Sequence, residues 1–265
     1  MKKEYTKHGK CIWCSKEKPE VTFFEKPHTI SKKLGAKKIG FDICDSCNKY
    51  FGTREKSSKY QMSVELAFKE IFNVTRYLLP EFAPKNNKQY LRSVYFDLFK
   101  TERIFRIKKT FKFKPDFIKN FTRQFKRGIY EVFLQEYHRN TGLGLNDKFN
   151  IVRKFVRYDY GDLPLYFGDN NGVYLVPEKP QAPSFYFSDK VLSNINDFGF
   201  YTMFLFGHLF YLEVTPKAAI SRDIYLRKEA SKLIGSGFIY NSLKEMKYVT
   251  DLDFSLNKLG KSETN

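Results

Sequence analysis

Two Cys-x-x-Cys pairs, Cys11-Ile12-Trp13-Cys14 and Cys44-Asp45-Ser46-Cys47, constrain this chain more than any other feature, because they contain all four of its cysteines. A redox pair or two disulfides would also use four cysteines. Matched pairs in a chain whose start, Met1 to His8, carries no apolar leader instead point to a metal held in a reducing, cytoplasmic setting. Four thiolates suit tetrahedral Zn²⁺, and such a set leaves no coordination position open. The zinc is therefore expected to be structural, and any catalysis must come from other residues.

The composition changes abruptly after the second pair. The stretch Thr53 to Lys59 is polar and charged and reads as a helix end or linker, dividing the chain into a small module, residues 1–56, and a larger region, residues 57–265. The larger region is rich in aromatics, with 28 Phe and 18 Tyr in the whole chain, so it must bury a sizeable core. Val64, Ala67, Phe68, Ile71, Phe72 and Val74 recur at helical spacing before Pro80. Phe117, Phe121, Phe125, Ile129, Phe133 and Tyr137 recur every fourth residue from Pro115 to Arg139 and predict a second helix whose aromatic stripe is core. Beyond Asp147, Gly161, Gly168, Asn170-Asn171-Gly172 and the Pro177 to Pro183 stretch punctuate short apolar runs, a pattern of strands and loops. Phe198–Phe206 and Leu209–Val214 read as a hairpin about Gly207-His208, and Ile220–Leu233 as a final helix. The fold class is α+β. The apolar run from Phe198 to Val214 is broken by Thr202, Gly207, His208 and Glu213 and is too short to cross a membrane.

Lys and Arg number 47 against 29 acidic residues, a net charge of +18. Such an excess predicts a polyanionic partner, nucleic acid first and an acidic membrane surface second. Basic residues are dense from Lys100 to Tyr130, where Lys100, Arg103, Arg106, Lys108, Lys109, Lys112, Lys114, Lys119, Arg123, Lys126 and Arg127 meet only Glu102 and Asp116. Arg123, Lys126 and Arg127 on the second helix are the candidates for a phosphate-facing surface, together with Lys32, Lys33, Lys37 and Lys38 between the cysteine pairs.

In order along residues 8–56 stand Cys11/Cys14, His28-Thr29-Ile30, Leu34-Gly35-Ala36, Cys44/Cys47 and Asn48. This arrangement resembles the zinc-containing treble-clef branch of the HNH endonuclease superfamily, which includes McrA-like enzymes and the phage resolvase endonuclease VII. The resemblance implies a ββα-metal zinc module in which His28 is the general base that activates water, a task suited to a side chain titrating near neutrality. It implies that Asn48 ligates one catalytic Mg²⁺ or Mn²⁺, and that the substrate is nucleic acid, DNA ahead of RNA. Where the family places an acidic metal ligand before the His, this chain has Pro27; Glu25, Asp42 or Asp45 are the carboxylates left to supply it. A zinc-stabilised module that binds nucleic acid without cleaving it is the alternative. His8, His138 and His208 need no special role, His138 lying near a helix C-terminus where the dipole favours positive charge, and Trp13 reads as a packing residue.

Overall fold

A computed structural model of the chain describes residues 2–34, 38–53, 62–78, 90–92, 96–99, 104–107, 114–169, 185–233 and 242–252. Among these residues the fold is mixed α+β, with six α-helices and two antiparallel sheets of three and four strands. Helix α1 (Asp45–Gly52) starts within the second cysteine pair, with Cys47 in its first turn, and α2 (Val64–Leu78) comes next. Strands β1 (Tyr90–Arg92), β2 (Phe96–Phe99) and β3 (Ile104–Ile107) form a meander, an element that the sequence pattern did not suggest.

Helix α3 (Pro115–Thr141) is the spine. Pro115 sits at the start, where its missing N–H is one of the donors a helix leaves unpaired anyway. Gly142 ends it at φ 74°, a left-handed conformation costly for a residue with Cβ, and returns its N–H to the His138 carbonyl. Every member of the expected aromatic stripe is buried. Burial reaches well beyond that stripe, because α2 packs on one side and the larger sheet on another. Ala67, Phe68, Ile71 and Phe72 of α2 are all buried, and the Phe72 ring lies 5.5 Å from that of Phe125. Gly128 allows the approach, since a Cβ there would stand 2.9 Å from Cβ of Phe68.

Strands β4 (Leu165–Asp169), β5 (Phe200–Leu205), β6 (His208–Glu213) and β7 (Ser242–Glu245) form the second sheet in the order β5-β6-β4-β7. The expected hairpin is present, with Leu205 opposite His208 and Phe200 opposite Glu213. Its two-residue turn, Phe206-Gly207, has φ of 48° and 81°; positive φ at both positions matches the turn to the right-handed twist of the strands. Alternation divides the residues between two faces. Tyr201 and Phe210 meet α3, their rings 4.9 Å from Phe133 and 6.3 Å from Phe125. Phe200 meets Tyr225 of α6 (Ala218–Leu233) in a 4.5 Å stack. The apolar run read as too short for a membrane span is this hairpin, and no described helix is long and apolar enough to cross a membrane.

Two helices stand where strands and loops were expected, α4 (Asn150–Tyr158) and α5 (Asp189–Asp197). In α4, Val152, Phe155 and Val156 are buried at three- and four-residue spacing, a period masked in the sequence by the intervening arginines. Residues 54–61, most of 100–113, and the 170–184 stretch with its Asn-Gly and proline signals lie outside the described residues. The division at residue 56 does not separate two cores. One buried cluster runs from Cys11, Trp13 and Phe51 through α2 and α3 to Phe210 and Leu212.

Candidate metal centre and the face around His28

The four Sγ atoms of Cys11, Cys14, Cys44 and Cys47 lie within 4.8 Å of one another and can hold a metal ion. Cys14 and Cys44 sulfurs are 3.8 Å apart, far beyond the roughly 2.05 Å of a disulfide. The first pair sits in a tight turn clasped by a bridge between Lys10 and Glu17; the second opens α1, with Cys44 at its N-cap. Donors converge on the sulfurs as they do on thiolates: the Cys44 N–H reaches Cys11 Sγ at 3.4 Å, and Arg157 Nε reaches Cys47 Sγ at 3.2 Å. The four thiols share their protons unevenly: contacts with Cys11 hold Cys14 and Cys44 below the ordinary thiol range, and contacts within the set push Cys11 and Cys47 above it. The donor set and the N–H···S contacts therefore fit a cation at this position.

Helix α4 grips this centre from behind. Arg157 stacks on Tyr50 at 4.1 Å while donating to Cys47, and Arg153 donates to the Ile12 carbonyl at 2.7 Å and to the Gly144 carbonyl at 2.5 Å. Neither arginine stood out in the sequence, although their four-residue spacing places them on one helix face. A second tie joins the N-terminal segment to α3. Asp42 is fully buried, and its carboxylate accepts from Thr6 Oγ1 (2.5 Å), from the backbone N–H groups of Lys7, His8 and Gly9 (each 3.0 Å), and from His138 Nε2 (2.9 Å). Burial alone would raise this carboxyl, but the hydrogen bonds from His138, Thr6 and the backbone outweigh it and hold the group well below the usual carboxylate range.

His138 thus has a role beyond its helix end. Its Nδ1 accepts from Gly144 N–H at 3.1 Å, so Nε2 carries the proton given to Asp42. His8, Asp42 and His138 present ligand atoms close enough for a metal. That proton and the four other donors on Asp42 make the group a closed hydrogen-bond network instead.

Asn48 lies on α1, and its Nδ2 donates to Glu25 Oε2 at 3.0 Å, so one of the three candidate carboxylates does meet it. Asp45 is engaged elsewhere: Oδ1 accepts from Glu25 N–H (2.7 Å), and Oδ2 from Thr22 Oγ1 (2.6 Å) and Phe24 N–H (3.2 Å). It tethers the 22–25 segment to the start of α1. Asp42 belongs to the network above. His28 pairs with Ile39 across an antiparallel bridge, and the backbone on either side of it is closed by Gly40 N–H to the Pro27 carbonyl. Both ring nitrogens of His28 are buried without a well-formed hydrogen bond, the Lys38 backbone offering only a weak acceptor. Desolvation first, then the charges of Lys32 and Lys26, lower its pKa, so the imidazole is held neutral.

Family models, curated proteins and solved structures were all compared with this chain. None matches. The site must therefore be interpreted from its own residues.

The cations divide into two sets. The charges of Lys32 and Lys26 act on His28, whereas Lys38 meets it through the backbone and sets its ammonium 5.9 Å from the Phe185 ring; among the described residues none of the three has a carboxylate within ion-pair distance. Lys33 falls in the 3-10 turn Lys32–Leu34, and Lys37 lies outside the described residues. Arg123, Lys126 and Arg127, expected to face phosphate, instead turn onto the protein. Arg123 binds Asp159 (2.6 Å), Lys126 binds Asp162 (2.8 Å), and Arg127 binds the Val156 carbonyl, Tyr50 Oη and Asp159. Lys126 and Arg127 are buried, because α3 is enclosed on the side that a lone amphipathic helix would show to solvent. The acidic partners lie more than thirty residues away, in a segment that the local charge count did not include.

Proposed function

We propose that residues 8–56 form a zinc-bearing treble clef of HNH type and that the chain is a metal-dependent endonuclease acting on nucleic acid, DNA ahead of RNA. The single observation that carries this reading is His28: a neutral imidazole with both ring nitrogens buried and no well-formed hydrogen bond, near lysines that make no ion pair among the described residues. A buried imidazole lacking partners costs stability, and a neutral one beside cations is suited to remove a proton from water next to a phosphodiester. The metal-binding turn, the His28–Ile39 bridge and a helix opened by the second cysteine pair follow the order of a treble clef. Zn²⁺ is the ion that four thiolates favour.

In this reading His28 takes the proton of the attacking water, and Lys26, Lys32 and Lys38 attract and orient the phosphate. Glu25 and Asn48 would hold a Mg²⁺ or Mn²⁺ ion, which neutralises charge on the phosphate when bound. One observation favours the second reading, a module that binds without cleaving. Among the described residues, the groups of three or more His, Cys, Asp and Glu ligands are the cysteine set and the His8, Asp42, His138 network, neither of which includes Glu25. Pro27, where a carboxylate would complete the ligands, agrees with it. Incubating the protein with supercoiled plasmid and with RNA in Mg²⁺, Mn²⁺ or EDTA separates the two. Metal-dependent cleavage that falls about 10²–10⁴-fold in His28→Ala supports the enzyme; binding with no cleavage under any metal leaves the second reading.

A further inference from the structure

The cations that turn away from solvent on α3 converge on one short segment, the turn 158–162 that follows α4. Arg123 holds it by three bonds, Nε to Asp159 Oδ1 (2.6 Å) and Nη2 to the carbonyls of Asp159 (2.9 Å) and Gly161 (2.8 Å). Arg127 adds a second contact to Asp159 (3.2 Å), and Lys126 takes Asp162 (2.8 Å). The backbone is closed by Tyr160 N–H to the Lys154 carbonyl, with Asp159 in the left-handed conformation at φ 55°. These are charge-assisted bonds, the strong class of hydrogen bond.

This rigid turn carries two large aromatic side chains into solvent: Tyr158 is 55% exposed and Tyr160 71%. Single exposed aromatics are ordinary. A pair on an immobilised backbone loses little conformational entropy when a planar ligand stacks on it. The turn's own carboxylates are ion-paired to α3, which offsets their charge toward an anion. Lys154 is exposed one turn before, and the Arg157 guanidinium lies 5.5 Å from the Tyr158 ring. Aromatic faces within a cationic setting, on a chain of net charge +18, complement one class of ligand, a polyanion with exposed planar rings.

We propose that Tyr158 and Tyr160 form a stacking platform for unpaired bases, so that this chain engages a single-stranded segment of its nucleic acid. The proposal rests on the nucleic-acid reading above and names the form of substrate. Arg123, Lys126 and Arg127 act through it as positioning residues. In duplex DNA the base faces are covered by their neighbours, and the platform has nothing to grip; in an unpaired stretch they are free.

The test measures binding in EDTA, where cleavage does not intervene, by fluorescence anisotropy with three labelled probes: a dT 12-mer, a 12-mer of the same charge lacking bases, and a 12-base-pair duplex. Wild type is expected to bind the dT 12-mer about tenfold or more tighter than the baseless strand. Tyr158→Ala/Tyr160→Ala should erase that preference while keeping the salt dependence and the melting temperature, and Tyr158→Phe/Tyr160→Phe should keep it. Equal binding of dT and baseless strands by wild type, no binding of any probe, or an unchanged preference in the alanine variant overturns the proposal. So does a change confined to self-association, read by sedimentation, which would make the turn an interface between copies. A protein that prefers bases yet never cleaves keeps the platform and loses the nuclease; one that cleaves duplex with no base preference does the reverse.

Discussion

Asp42→Asn tests the strongest internal tie in the molecule. Asn occupies the same volume and tolerates the φ of 57° at this position, so backbone strain does not confound the result. Oriented with its oxygen toward Thr6, Lys7, His8 and Gly9, it keeps those contacts as a neutral acceptor, at roughly half the strength of a charged one. The amide NH₂ then faces His138 Nε2, 2.9 Å from the atom it replaces, donor against donor. His138 cannot change tautomer freely, because Nδ1 accepts from Gly144 N–H. One buried donor left unmet costs about 1–3 kcal/mol, and weakening the remaining bonds brings the total to about 3–5 kcal/mol. At about 2–4 °C per kcal/mol for a chain of this size, the melting temperature should fall by roughly 10 °C. The difference should also depend on pH. Because folding lowers the Asp42 pKa, its contribution is complete above the ordinary aspartate value of 3.8 and is lost as pH falls through the depressed folded value. Wild type and variant should therefore converge only in strong acid. A melting temperature within about 2 °C of wild type at neutral pH would refute the reasoning.

Three further outcomes are expected. Arg157→Leu should leave the four cysteines in place but weaken metal retention about 10–100-fold in chelator competition, and an unchanged release curve would show that the contact to Cys47 is incidental. Replacing Arg123, Lys126 and Arg127 together by Gln should lower thermal stability without flattening the salt dependence of nucleic-acid binding, since these charges face Asp159 and Asp162; a flatter slope would return them to a phosphate-facing role. Gly128→Ala, whose Cβ would meet Phe68 at 2.9 Å, should cost about 1–3 kcal/mol in denaturant unfolding while metal content stays constant, and a neutral effect would mean that α2 shifts without penalty.

The cysteine centre, α2, α3 and the β5–β6 hairpin were legible because each announces itself by short-range spacing: paired thiols, apolar residues every three or four positions, and a Gly-centred turn. What sequence did not disclose depends on distant partners. Arg127 and Lys126 have the composition of a solvated helix face, and only the return of Asp159 and Asp162 against α3 turns them inward. Asp42 was one of three carboxylates weighed for a metal, yet its partner is a histidine 96 residues away. Helix α4 falls in a region whose pattern suggests strands and loops, because its apolar residues are interrupted by Arg153 and Arg157, the two side chains that join it to the cysteine turns. At the candidate site, the resemblance singled out His28 and Asn48, whereas the choice of Glu25 over Asp45 as the neighbour of Asn48 depends on how the 22–25 segment folds onto α1.

The hold of α4 on the metal centre also orders events in time. Cys47 precedes Arg157 by 110 residues, and at 5–20 residues per second a ribosome needs roughly 5–20 s to supply that guanidinium after the last thiol has been made. Throughout that interval the nascent segment has all four thiols and none of the α4 donors that later cover them. An ion bound then would be held by the four sulfurs alone, without the Arg153 and Arg157 contacts that later fasten α4 to the cysteine turns.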